Sequence, residues 1–164
     1  MNPTPPREKI QRPRLAPLRT LSVGLLLFTF GCINDDVQLY EVTVRGRAIA
    51  PAWATSNGAL HLEFHYQLRS GRGDLAHPLG EFDTRTQDVA SLPAPIQETV
   101  LYPTQAGQGL VVYGWLDVDD DGVLCAPGQT EEPAGLLVVP DFPRHQANID
   151  LLLNTPCAGA ERLY

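Results

Sequence analysis

From Leu60 to Leu68, in the run that starts at Ala59, apolar and polar residues alternate without a break. Leu60, Leu62, Phe64, Tyr66 and Leu68 fall on one side of an extended backbone, and His61, Glu63, His65 and Gln67 on the other. A period of two describes a strand with one apolar face, and a helix of period 3.6 would scatter the same residues around its axis. The rest of the chain repeats the theme. Residues 39–49 carry β-branched and aromatic residues, and 96–102, 135–139 and 147–153 read as further short strands. Residues 109–117 form the most apolar run, which predicts a central strand. Residues 75–90 are weakly patterned and read as one or two edge strands. Pro93 and Pro95 are expected to break the chain between strands. The 15 prolines and 14 glycines are spaced as turns, and no segment shows a capped helical stripe. The expected fold is all-β, a single antiparallel β-sandwich of about seven strands over residues 39–154.

The N-terminus reads as an address. Residues 1–20 are rich in proline and arginine, and Leu21–Phe30 is mostly apolar before Gly31 and Cys32. A charged start, a short apolar run and a small residue at the cut describe a secretory signal, here residues 1–31. The run is too short to remain as a spanning helix, which needs about 20 apolar residues. The Gly31-Cys32 junction resembles that of bacterial lipoprotein precursors, although Thr29 and Phe30 depart from the usual leucine and small residue upstream. The resemblance implies acylation of Cys32, a tether over 32–38, and membrane attachment through the lipid. With Ile33 and not aspartate after the cysteine, it implies the outer membrane. An ordinary signal peptidase cutting at the same bond would instead leave Cys32 as a free thiol.

Charge narrows the partners. The chain carries a net charge of −7, and residues 1–31 hold five basic residues and one acid, so their removal leaves about −11 with no lysine. That excludes electrostatic nucleic-acid binding, which depends on basic clusters, and favours cations. Three cysteines are an odd number for an exported chain. With Cys32 acylated, Cys125 and Cys157 are left either as a disulfide in an oxidising compartment or as two buried thiols; paired, they would staple residues 155–164 to the rest.

Four acids crowd the segment after the central strand: Asp117, Asp119, Asp120 and Asp121, followed by Gly122. Acids at alternate positions and a glycine at the sixth match the first half of a calcium loop, with the Val123 carbonyl as a further ligand. The second half does not follow the EF-hand, since Cys125 and Gly128 stand where an acid and a bidentate glutamate belong. The run from Gly109 to Gly135, with its strand ending in aspartate and its later Glu132-Pro133-Ala134-Gly135, is instead similar to prealbumin-like, carboxypeptidase-regulatory-like β-sandwich modules of bacterial envelope proteins. The resemblance implies a prealbumin-like or immunoglobulin-like sandwich in which Glu132 folds back to complete the shell of a structural calcium ion. The alternative for these residues is a solvated acidic hairpin tip.

Other constellations are weaker. His61, Glu63 and His65 share one strand face and could bind zinc with a third ligand from a neighbouring strand, His77 or His145 by residue type, as in a metal-dependent hydrolase; an ordinary polar sheet face is the plainer reading. Arg72-Gly73-Asp74 reads as a turn. Trp53, Tyr66 and Trp115 are candidates for a sugar-stacking platform. The expectation is a non-enzymatic envelope lipoprotein with a structural calcium loop, acting as a structural or binding module. A carbohydrate- or protein-binding module is the second reading and the hydrolase the third.

Overall fold

The computed structural model describes residues 38–68, 78–128 and 130–164. The expected signal peptide, Cys32 and nearly all of the tether, the Arg72–Asp74 tripeptide and His77 lie outside them. Within them the protein is an all-β sandwich of eight strands: β1 (Leu39–Ile49), β2 (Gly58–Leu68), β3 (Leu79–Val89), β4 (Ala94–Pro103), β5 (Gly107–Asp117), β6 (Pro133–Val138), β7 (Gln146–Leu152) and the two-residue β8 (Thr155–Pro156). One short helix follows, α1 (Ala160–Leu163). One sheet has the order β4-β1-β7 and the other β3-β2-β5-β6-β8. Every strand pair is antiparallel except β1–β7, which run parallel from Thr43↔Gln146 to Ile49↔Leu152.

The alternation in the sequence places the core between the sheets. Leu60, Leu62 and Phe64 of β2 and Leu110, Val112 and Leu116 of β5 point inward to meet Val42, Val44 and Ala48 of β1 and Ile149 and Leu151 of β7. At about 25 cal/mol per Å² of apolar surface removed from water, this layer is the main favourable contribution to folding. Where β6 passes beneath β7 the backbones nearly touch. A Cβ on Gly135 would lie 2.0 Å from the carbonyl oxygen of Leu152, so only glycine fits.

One local expectation is narrowed and two are revised. The stretch 75–90 yields one edge strand of 11 residues, β3. Pro95 does not break the chain: it sits inside β4, opposite Arg47. Strand β4 is an edge strand, and there a missing N–H can face away from the ladder. The alternation in β2 is interrupted in its pairing, with register shifts at Phe64/His65 against β3 and at His65/Gln67 against β5. Tyr40, Tyr102 and Phe142 gather at the end of the sandwich away from the acidic loop, around a cleft of about 260 Å³.

Candidate metal centre

The outer face of the five-stranded sheet is where the polar residues of β2 and β5 meet. Its apolar members Val111, Tyr113 and Trp115 form a second cluster with Leu79, Ala134 and Ala160. The C-terminal segment covers it. Cys125 and Cys157 form a disulfide with Cα atoms 5.4 Å apart. Beside it the Cys157 N–H donates to the Glu132 carbonyl at 3.0 Å, and the Tyr113 hydroxyl donates to the Ala158 carbonyl at 3.0 Å.

At the end of β5 the acidic loop closes on itself. Asp117 is 1% exposed, and its carboxylate collects the turn: Oδ1 accepts from the Asp120 and Asp121 N–H groups at 2.6 and 3.3 Å, and Oδ2 from Gly122 at 2.8 Å. The turn needs left-handed backbone at Asp120 (φ 61°) and Gly122 (φ 74°). A Cβ on Gly122 would meet nothing within 4 Å, so glycine is required there for its backbone freedom and not for space. Asp121 accepts from the Val123 N–H at 2.8 Å, and the Val123 side chain points to solvent.

Glu132, also 1% exposed, arrives from the far side of the loop. Its Oε1 accepts from the Val118 N–H at 3.1 Å and its Oε2 from the Cys125 N–H at 2.6 Å. One carboxylate oxygen each from Asp117, Asp119, Asp121 and Glu132 lies within 4.8 Å of the others, so the cluster can hold a metal ion. A carboxylate oxygen offers more than one lone-pair direction, so accepting an N–H does not exhaust it. Burial acts to raise the pKa of Asp117, but the Gly122, Asp120 and Asp121 N–H groups outweigh it and hold the carboxyl below its ordinary value. For Glu132 burial prevails over the Cys125 and Val118 donors, and the nearby Asp117 and Asp119 add to it, so its carboxyl is pushed up. The two buried carboxyls thus crowd one space, and a cation there would relieve both burial and repulsion.

The histidines of β2 divide between two environments. His61 stacks on Trp115 with ring centroids 4.2 Å apart, faces Thr86 Oγ1 through Nδ1 at 3.2 Å, and brings Nε2 to 3.8 Å from Asp117 Oδ2. His65 lies four residues on, roughly 13 Å along an extended strand. The expected pairing of His61 and His65 on one ion is therefore not brought together. His65 Nε2 lies 3.0 Å from Glu63 Oε2, and the third group within reach is Glu81 of β3. Sequence reasoning missed Glu81, because an acid on a weakly patterned edge strand carries no signal of its own. His145 lies just before β7 of the other sheet, stacked on Tyr40 with ring centroids 4.4 Å apart. Nor do Trp53, Tyr66 and Trp115 form a platform: Trp115 belongs to the outer cluster, while Trp53 and Tyr66 pack against the inner core.

Comparison with protein-family models, with curated proteins and with solved structures finds no match.

Proposed function

We propose that this protein is an exported, non-enzymatic β-sandwich module of the cell envelope, held to the membrane by acylation at Cys32, and that its 117–132 loop is organised by a structural calcium ion. The observation that carries the reading is the convergence of Asp117, Asp119, Asp121 and Glu132 on one centre. An all-oxygen set of four carboxylates suits Ca²⁺, which takes 6–8 oxygens at about 2.3–2.6 Å, with the Val123 carbonyl and water free to complete the shell. The Cys125–Cys157 disulfide fits an oxidising compartment, as does the Leu21–Phe30 run ahead of Gly31-Cys32. The ion's role would be to set the shape of the loop and of the Glu132 strand entry. A binding function for the module is favoured by the aromatic-lined cleft of Tyr40, Tyr102 and Phe142 at the opposite end, which has the concave, mostly apolar character of a ligand site.

The test is thermal unfolding with calcium and with chelator. A ligand that binds only the native state adds about 2.7 kcal/mol at one hundred times Kd. Calcium should raise Tm by several degrees, and Asp119→Ala, at an exposed position, should remove the increment without unfolding the chelated protein. Identical melting curves with calcium and chelator would refute the calcium reading.

A further inference from the structure

Strand β3 carries one extra residue opposite β2. The register runs Gly58↔Val89 through Phe64↔Asp83 and then steps to His65↔Glu81, so Phe82 has no partner. Without the step, Phe82 would stand across from His65. With it, Phe82 packs against the inner core, 6.1 Å from Tyr66 and 5.4 Å from Tyr102, and a carboxylate stands opposite the histidine instead. Bulges of this kind re-aim side chains and are common beside functional sites.

The residues so aligned line a cleft of about 380 Å³ between the β2–β3 edge of the sheet and the C-terminal helix, bounded also by Leu79, Ala160, Glu161 and Arg162. Glu63, His65 and Glu81 each offer a ligand atom within 4.8 Å of the other two. His65 is 6% exposed, and its Nδ1 is buried with no hydrogen-bond partner. Each neutral form of the ring leaves something unmet. With the proton on Nε2, toward Glu63, Nδ1 is a bare buried lone pair. With the proton on Nδ1, the Nε2 lone pair faces a carboxylate at 3.0 Å. A cation held by Nε2 and the carboxylate removes the second conflict, and the proton then stays on Nδ1. Two ligand atoms on a tetrahedral zinc ion, each about 2.0–2.2 Å from it, stand roughly 3.3 Å apart, close to the 3.0 Å between His65 Nε2 and Glu63 Oε2.

We propose that Glu63, His65 and Glu81 form a second metal site, selective for a divalent first-row transition ion, with zinc as its best probe. An imidazole nitrogen disfavours the hard ions Ca²⁺ and Mg²⁺, while two carboxylates and one histidine suit zinc and its neighbours. Three protein ligands in an open cleft leave a coordination position for water or a ligand. This site stands independently of the calcium loop, which is built from oxygen donors alone.

The experiment is a calorimetric titration of the full chain with Zn²⁺ in the presence of millimolar Ca²⁺. The expected result is one zinc equivalent whose affinity falls about tenfold or more in Glu81→Gln and in His65→Gln and is unchanged in Asp119→Asn. Glu81 is an exposed edge-strand residue, so its variant reports on binding even if His65→Gln fails to fold. Absence of zinc binding would overturn the proposal and leave Glu63 and His65 as a hydrogen-bonded pair. Binding equal in wild type and Glu81→Gln, or lost on Asp119→Asn, would place the zinc elsewhere and overturn it equally.

Discussion

The two faces of the five-stranded sheet are both buried, by different means. The inner face packs against a second sheet and is almost wholly aliphatic and aromatic. The outer face is covered by the chain's own last residues around His65 and by the acidic loop around Asp117, and it keeps His65, Asp117 and Glu132 buried. The inner face chiefly removes apolar surface from water, and polar atoms enter that layer only at the tips of rings such as Tyr66 and Tyr102. On the outer face, polar groups must be matched one by one, and buried groups that find no match are costly. The contrast explains why both candidate metal centres lie on the outer face. A sheet covered by a short segment has room for chemistry that a sheet packed on a sheet does not.

Substitutions should separate the two faces. The largest loss is expected inside: Phe64→Ala removes a fully buried ring from the inner layer and should cost about 3–5 kcal/mol in denaturant unfolding. Ser at both Cys125 and Cys157 tests the outer cover. The closed segment has a sequence separation of 32, for which loop entropy gives about 3–4 kcal/mol. Amide exchange should then accelerate at Ala158 to Leu163 and over β8 before it does in β1 and β7. Uniform acceleration in both sheets would show that the two faces unfold as one and would erase the distinction.

The smallest effect concerns Tyr113. Tyr113→Phe removes its hydroxyl bond to the Ala158 carbonyl and should cost about 1 kcal/mol near neutral pH. Burial, with Glu63 and Glu132 adding to it, pushes the phenol well above its ordinary 10.0. The folded state therefore keeps its proton where the unfolded chain loses it, and stability falls as pH rises past about 10. Tyr113→Phe should flatten that alkaline decline. An unaltered slope would mean that the phenol ionises in the folded protein as freely as in water.

The inner face was legible because burial by a sheet demands a strict period of two, and Leu60, Leu62 and Phe64 display it. The acidic loop was legible because its ligands are close in sequence and Gly122 marks the turn. Glu132 came into view only through a resemblance, since residues folding back from a later strand obey no local period. The outer cover was legible only as far as the Cys125–Cys157 staple, which ties residues 155–164 to the rest without saying what they cover. His61, Glu63 and His65 have the composition of a solvated face, and nothing in them reveals that residues 159–162 lie against Glu63 and His65. Glu81 was hidden for a further reason: its place opposite His65 depends on one extra residue in β3, and a single-residue shift leaves hydropathy almost unchanged while deciding which side chains meet.

Strand β1 has β4 on one side and β7 on the other, and its bond to β7 joins residues about a hundred positions apart, as Arg47 and Asp150 show with a separation of 103. A parallel neighbour cannot be supplied by a hairpin. The three-stranded sheet thus stays incomplete, with β1 exposed along one edge, until the chain beyond residue 146 has arrived. Loop closure over such a span comes before any contact rewards it, which places this protein among slow-folding topologies. During synthesis the first strand of the sandwich must wait for nearly the last, and in that interval it needs protection from pairing with other chains.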